Sequence, residues 1–137
     1  MTDRLSKEQR SWVMSRVKGR NTKPEVVVRS TAHRMGYRFR LHRRDLPGSP
    51  DIVFPSRRKV IFVHGCFWHG HKGCRRSHRP TTHKAFWNLK LDGNAERDRR
   101  CKRELQRKGW TVLVVWECQT RKPEGLRAVL RRFLSDA

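Results

Sequence analysis

The sequence predicts an α/β layer fold in a single domain: a small mixed sheet with helices on both sides. Three observations carry this prediction. Four strand-sized segments, Tyr37–His42, Asp51–Phe54, Val60–Val63 and Thr111–Trp116, are interleaved with helical stretches that bring their own start and stop signals. At 137 residues the chain has room for one modest core and none for a second. No Gly/Ser or Pro-rich linker, low-complexity tract or internal repeat divides it.

Taken in order, Ser6 with Gln9 resembles a capping box, and Trp12, Val13 and Val17 give a short helical stripe that stops at Gly19. Thr22 and Glu25 form a second box with Pro24 in the first turn, and the helix runs to Gly36, which suits a left-handed cap. Tyr37, Phe39 and Leu41 alternate with Arg38, Arg40 and His42, the period of a half-buried strand. The stretch Leu46-Pro-Gly-Ser-Pro50 breaks it, and two short apolar runs at 51–54 and 60–63, joined by a polar turn, read as central strands. Residues 64–83 are rich in Gly, His and Cys without usable periodicity, too long for a bare loop unless something holds them. Helices at about 83–91 and 94–108, the strand at 111–116 and a helix at 124–134 complete the expectation.

Charge narrows the function. Lys and Arg number 34 against 12 Asp plus Glu, a formal charge of +22 spread over the whole chain. Such a charge opposes self-association and draws the protein to polyanions, of which nucleic acid is the abundant example. The longest apolar runs, around Ile61 and Val114, fall well short of the roughly 20 residues that a spanning helix needs. The charged start MTDRLSKEQR has no apolar signal region, so a cytoplasmic, nucleoid-associated location is expected.

The four cysteines are expected to be reduced there, which favours a metal over disulfides. Cys66, His71 and Cys74 lie within nine residues, a spacing suited to tetrahedral Zn2+ with a distant fourth ligand. Cys118, directly after the last strand, is the better candidate for that ligand, since Cys101 sits in mid-helix among Arg and Lys. The alternative is a set of small buried thiols. His64 and His69 each stand two residues from a ligand, on a loop that zinc would fix, as general acid/base chemistry requires. Asp51 is a candidate Mg2+ ligand, but after Gly-Ser-Pro it equally fits a turn-capping role. Glu25 likewise fits a capping box alone.

Together, Thr22-Lys-Pro-Glu25, Leu46-Pro-Gly-Ser-Pro-Asp51, Phe62-Val-His-Gly-Cys-Phe-Trp-His-Gly-His71, Phe86-Trp87 with Lys90 and Asn94, Glu96-Arg-Asp-Arg-Arg100, Gly109-Trp110 and Val115-Trp-Glu-Cys118 resemble the very short patch repair (Vsr) endonucleases, strand-specific DNA mismatch nickases. The resemblance spans nearly the whole chain. It implies one endonuclease domain over 1–137 with a restriction-endonuclease-like α/β core, an N-terminal DNA-contacting helix in 1–20 and a zinc-stabilised loop over 64–83. It implies structural zinc on Cys66, His71, Cys74 and Cys118, although Lys72-Gly73 places one more residue before Cys74 than the family pattern.

The implied activity is Mg2+-dependent nicking 5′ to the T of T:G mismatches left when 5-methylcytosine deaminates. Asp51 and the main-chain carbonyl of Val63 would hold Mg2+, and His69 would activate water or protonate the leaving group, with Glu25 and His64 in support. Some relatives carry Thr at the Val63 position, and any role of its hydroxyl would be absent here. The second acid and the Lys of ordinary restriction-type nucleases are missing from the strand at 60–63. Phe67, Trp68 and Trp87 would wedge into the duplex, with Met14 and Lys90 as further DNA contacts; core packing is the competing role for Phe67 and Trp68. Trp12, Trp110 and Trp116 are read as core. The resemblance also implies cooperation with mismatch-repair proteins and a functional link to a cytosine-5 DNA methyltransferase. A non-catalytic zinc-stabilised nucleic-acid-binding module, or a nuclease with another lesion specificity, is the alternative.

Overall fold

The computed structural model describes residues 21–135. The helix expected before Gly19, with Trp12 and Met14, lies outside the described residues.

Helix α1 covers Lys23–Arg34. Thr22 caps it by accepting the Glu25 N–H at 3.3 Å, Pro24 occupies the first turn, and Gly36 follows at φ 93°. The expected box is one-sided: the Glu25 carboxylate accepts from Asn21 N–H, one residue before the cap, and its second oxygen points away to other partners. Strand β1 is Arg40–Leu41, β2 is Ile52–Phe54, and β3 is Lys59–His64. Helix α2 runs Lys84–Arg107, strand β4 Thr111–Trp116, and helix α3 Pro123–Leu134.

The sheet order is β1-β2-β3-β4. β1 and β2 pair antiparallel, as do β2 and β3, while β3 and β4 run parallel over six pairs from Lys59↔Thr111 to His64↔Trp116. A parallel neighbour requires a long crossover, and α2 provides it. The strand expected over Tyr37–His42 shrinks to two residues. Its three-residue partner β2 offers few pairing positions, and His42 turns away at φ 50°. Tyr37 and Phe39 still pack on the core, but Leu41 is 37% exposed. The two helices expected between 83 and 108 are one helix of 24 residues. A mid-helix glycine costs only about 1 kcal/mol, and continuity across Gly93 puts Leu91 and Leu105, close to four turns apart, on the same buried face.

Alternation along β3 divides the interior in two. Ile61 and Val63 face α1 and α3, in a core with Val28, Ala32, Ile52, Phe54, Val115, Leu126, Leu130 and Leu134. Val60 and Phe62 face α2, with Val53, Leu105, Trp110 and Val112. His64 falls on this second side, at the end of β3 where α2 leaves a cleft. No helix among the described residues is long and apolar enough to cross a membrane.

Candidate functional site

Immediately beyond β3 the chain closes on itself through short turns: His71 N–H bonds to Cys66 O at 3.0 Å and Cys74 N–H to His71 O at 3.3 Å. Gly70 and Gly73 take positive φ, 64° and 74°, which lets the chain turn tightly on either side of His71. Together with Cys118 after β4, the donor atoms of Cys66, His71 and Cys74 all lie within 4.8 Å of one another. Cys118 Sγ stands 3.5 Å from His71 Nδ1. A tetrahedral ion with ordinary Zn–S and Zn–N bonds separates S and N ligands by about 3.6 Å. The set therefore fits a structural Zn2+. Three sulfurs and one nitrogen complete the shell, which leaves no position for substrate. Burial pushes the Cys66 thiol up to about 12, so without a cation this fully enclosed group keeps its proton. Trp116, expected in the core, is half-buried and stacks flat on His71 with centroids 4.2 Å apart. Trp110 does enter the core, and Cys101 lies outside the donor set, as read from the sequence.

The cleft beside this cluster has a volume of about 730 Å3 and is walled by α2, the end of β3 and the loop before β2. Three segments bring Glu25, Asp51, His64 and His69 to it. Asp51 Oδ2 accepts the Val63 N–H at 2.7 Å. In an extended strand the N–H and C=O of one residue point to the same edge, so the Val63 carbonyl lies on the Asp51 side of β3. Asp51 is raised to about 6, chiefly by burial, with Glu25 adding repulsion and the Val63 N–H opposing both. A carboxylate desolvated beside a second one gains from a cation. The carboxylate-plus-carbonyl donor set fits a hard ion such as Mg2+.

Glu25 is only 2% exposed. Its oxygens accept from Asn21 N–H at 3.1 Å, from Arg29 at 3.2 Å and from His42 Nε2 at 2.5 Å. On the other flank, His69 Nδ1 donates to Asp98 Oδ2 at 2.6 Å. That bond fixes the tautomer and leaves Nε2 as the nitrogen that exchanges a proton. His64 stacks on His69 with centroids 3.9 Å apart and planes 7° from parallel. Burial first, and then the neighbouring His69, lower His64 to about 4, so it is neutral near pH 7.

Phe67 and Trp68 do not bury themselves separately. They pack edge-on to each other at 5.0 Å, and both rest on Trp87, at 5.4 and 6.0 Å. Trp87 is itself 5% exposed, whereas Phe67 and Trp68 are half-buried and keep accessible surface. Asn94 holds the loop by donating to the Trp68 carbonyl at 2.9 Å. Lys90 is exposed on α2, and Arg97, Arg99 and Lys102 rim the cleft. Across the cleft, Gly48 takes φ 76°, and a Cβ there would meet Cys101 Cβ at 3.0 Å and Sγ at 3.1 Å. The Pro-Gly-Ser-Pro turn thus presses directly on α2.

Two site residues escaped the sequence reading. His42 looked like an outward residue of a strand, and Asp98 like one member of a charged helical run. Asp98 stands within Glu96-Arg-Asp-Arg-Arg100, a segment that carries the family resemblance, but nothing local tied it to an imidazole 29 residues away.

The DNA mismatch endonuclease Vsr family profile matches residues 2–76. The chain is 54% identical over 134 residues to the Type II nicking enzyme V.XorIIP of Xanthomonas oryzae pv. oryzae, covering 98% of each chain. It is 39% identical over 136 residues to the Type II nicking enzyme V.NmeAIP of Neisseria meningitidis, covering 99% of this chain and 96% of the relative. It is 44% identical over 126 residues to the DNA mismatch endonuclease Vsr of Escherichia coli, covering 92% and 80%. With the family profile matched over more than half of its length and relatives of this identity covered nearly throughout, the chain is a DNA-nicking endonuclease and belongs to the Vsr family.

Proposed function

We propose that this endonuclease nicks one strand of double-stranded DNA 5′ to the T of a T:G mismatch, by Mg2+-dependent hydrolysis, as the first step of very short patch repair. The observation that carries the reading is the convergence on one cleft of the buried Asp51 carboxylate and the Asp98-held His69. Asp51 and the Val63 carbonyl hold Mg2+, which when bound stabilises negative charge on the scissile phosphate. Asp98 keeps Nδ1 of His69 protonated, so Nε2 takes a proton from the attacking water or returns one to the leaving oxygen. His64, neutral and stacked against His69, holds that ring in plane. Glu25 adds a second carboxylate beside Asp51.

Selectivity rests on the aromatic pair. Inserting an apolar side chain between base steps costs a few kcal/mol per step, and less where pairing is already weak. Phe67 and Trp68, backed by Trp87, have the accessible surface and the rigid support for such a wedge. Lys90 grips the backbone, and Met14 is a further DNA contact. One domain over 1–137 does this work in the cytoplasm at the nucleoid, upstream of mismatch-repair proteins and downstream of a cytosine-5 methyltransferase.

The test is one gel. Matched, T:G and other mismatched duplexes are incubated with Mg2+ and then with EDTA. Nicking of the T strand of the T:G duplex alone, abolished by EDTA under conditions that leave the zinc in place and restored by added Mg2+, and abolished by Asp51→Ala with zinc content intact, is the expected result. Equal nicking of matched DNA removes the lesion specificity, and full activity of Asp51→Ala removes the mechanism.

A further inference from the structure

The reading above places a divalent cation at Asp51, and the following inference rests on it. We propose that His42 gives this cation a nitrogen ligand, so that the cleft binds a first-row transition ion such as Mn2+ more tightly than Mg2+. Glu25, His42 and Asp51 each offer one ligand atom, and the three atoms lie within 4.8 Å of one another. This set is separate from the Cys3His cluster.

The backbone carries His42 to this place. Leaving β1 at φ 50°, the residue drops out of strand alternation, and its N–H donates to the Asp51 carbonyl at 3.1 Å. Its main chain is thereby tied to that of the very residue that holds the cation, and its ring Nε2 lies 2.5 Å from Glu25 Oε2. Neighbouring ligands of an octahedral ion with bonds of about 2.1 Å stand about 3 Å apart. An opening of about half an ångström therefore turns this hydrogen-bonded pair into a ligating pair, with the ring proton moved from Nε2 to Nδ1 so that the Nε2 lone pair of the neutral imidazole faces the cation. Glu25 does not drift when that proton leaves, because Asn21 N–H and Arg29 still hold it.

The chemistry of the set then decides the ion. Mg2+ demands oxygen ligands and gains little from imidazole, whereas first-row transition ions accept imidazole and bind more tightly along the series from Mn2+ onward. Two carboxylates, one imidazole and the Val63 carbonyl form a mixed nitrogen and oxygen shell. An all-oxygen site has no use for the imidazole.

The experiment uses the zinc-loaded full-length protein and Mn2+ alone as the probe. Free Mn2+ is followed by electron paramagnetic resonance in competition with Mg2+, and bound Mn2+ by electron-spin-echo modulation from directly bonded 14N. In the unmodified protein we expect 14N modulation and a Mn2+ affinity about tenfold above that for Mg2+. His42→Gln should abolish the modulation and weaken Mn2+ about tenfold, with Mg2+ affinity changed by no more than about twofold. His69→Gln should retain the modulation. Absence of 14N modulation in the unmodified protein, its survival in His42→Gln, or its loss in His69→Gln overturns the assignment. Equal weakening of Mn2+ and Mg2+ by His42→Gln also overturns it, since His42 then acts as a brace for Glu25.

Asp51→Asn separates this inference from the functional reading beneath it. If that variant binds Mn2+ as the unmodified protein does, no cation sits at Asp51 and the functional reading falls. If Asp51→Asn abolishes binding while His42→Gln leaves it unchanged, only the nitrogen ligand falls. Zinc content and thermal melting report on folding of each variant. Should His42→Gln not fold, His64→Gln and His69→Gln decide the question: modulation that survives in both leaves His42, the imidazole beside Glu25 and Asp51, as its source, and its loss in either overturns the assignment.

Discussion

Two sets of ligating side chains are interleaved along eleven residues, and the structure sorts them into opposite environments. Cys66, His71 and Cys74 turn to one side and meet Cys118 in a closed shell. His64 and His69, each two residues from a member of that shell, turn to the other side and meet Asp98 in the cleft. The closed set gives order to a segment with little core of its own. The open set uses that order: Trp116 stacks on the ligand His71 and packs edge-on to His64 at 5.4 Å, so one ring touches both sets. Residue type alone does not separate a structural imidazole from a catalytic one. What separates them is whether the nitrogen meets thiols inside a complete shell or a carboxylate facing an open cleft.

The largest expected effect breaks the closed set. Structural zinc sites contribute folding free energy outright, on the order of 10 kcal/mol in small zinc modules. Chelation, or Cys66→Ser, should therefore remove one zinc per chain, lower the melting temperature sharply and abolish nicking, because His69 loses its scaffold. Metal analysis, melting and a nicking assay on the same sample check this. Retained nicking in zinc-free protein would show that the two sets are independent.

Next in size is Asp51. Asp51→Asn should reduce nicking by at least about 10²–10³-fold, the cost of losing one preorganised electrostatic contact. It should also leave the fold intact or more stable. In the metal-free protein the folded state raises the Asp51 pKa to about 6 from an ordinary value near 3.8. The fold thus prefers the protonated acid, so stability is fullest below pH 3.8 and is lost as pH rises to about 6. The difference corresponds to about 3 kcal/mol. Denaturant melts of the zinc-loaded, Mg2+-free protein between pH 4 and 7 should show this decline, and Asp51→Asn should flatten it. For the same reason cation affinity should fall about tenfold per pH unit below pH 6 as protons compete for the carboxylate.

A smaller effect tests the open set from behind. Asp98 touches no substrate in the reading above; it holds His69 Nδ1. Asp98→Asn should slow nicking about 10–100-fold, as losing an outer partner of a functional histidine does, and leave zinc content and KM unchanged. His69→Ala should cost more, about 10²–10⁴-fold. If Asp98→Asn has no effect on kcat, the 2.6 Å bond is not what orients the imidazole.

The sequence carries those parts of the molecule that depend on local pattern. The Thr22 cap, the apolar β2 and β3, the strand from Thr111 to Trp116 and the helix after Pro123 all follow from short-range periodicity and capping. The spacing of Cys66, His71 and Cys74 likewise points to a metal, and the place of Cys118 directly after a strand makes it the better candidate for the fourth ligand. The joins are what pattern misses. Gly93 reads as a helix break because its cost is local, while the gain from placing Leu91 and Leu105 on one face is tertiary. His42 reads as an outward strand residue because alternation predicts its direction, and only the left-handed φ at that residue reverses it. Asp98 pairs across 29 residues, beyond any helical spacing.

The smallest expected effect concerns which DNA is cut rather than how fast. Phe67 and Trp68 share a floor in Trp87, so truncating one leaves the other supported. Phe67→Ala should lower the preference for T:G over matched duplex by about tenfold, less than the full few kcal/mol of an unstacking step, because Trp68 remains. Overall affinity should still fall with salt at the same slope, about −0.9 per phosphate contacted, since no basic residue is altered. The unchanged slope distinguishes a lost wedge from a lost grip. Lys90→Ala provides the converse, reducing the slope by about one phosphate while leaving the T:G preference in place. If Phe67→Ala changes the slope and spares the preference, the aromatic pair is part of the loop's packing, and mismatch selectivity must come from the basic rim of the cleft.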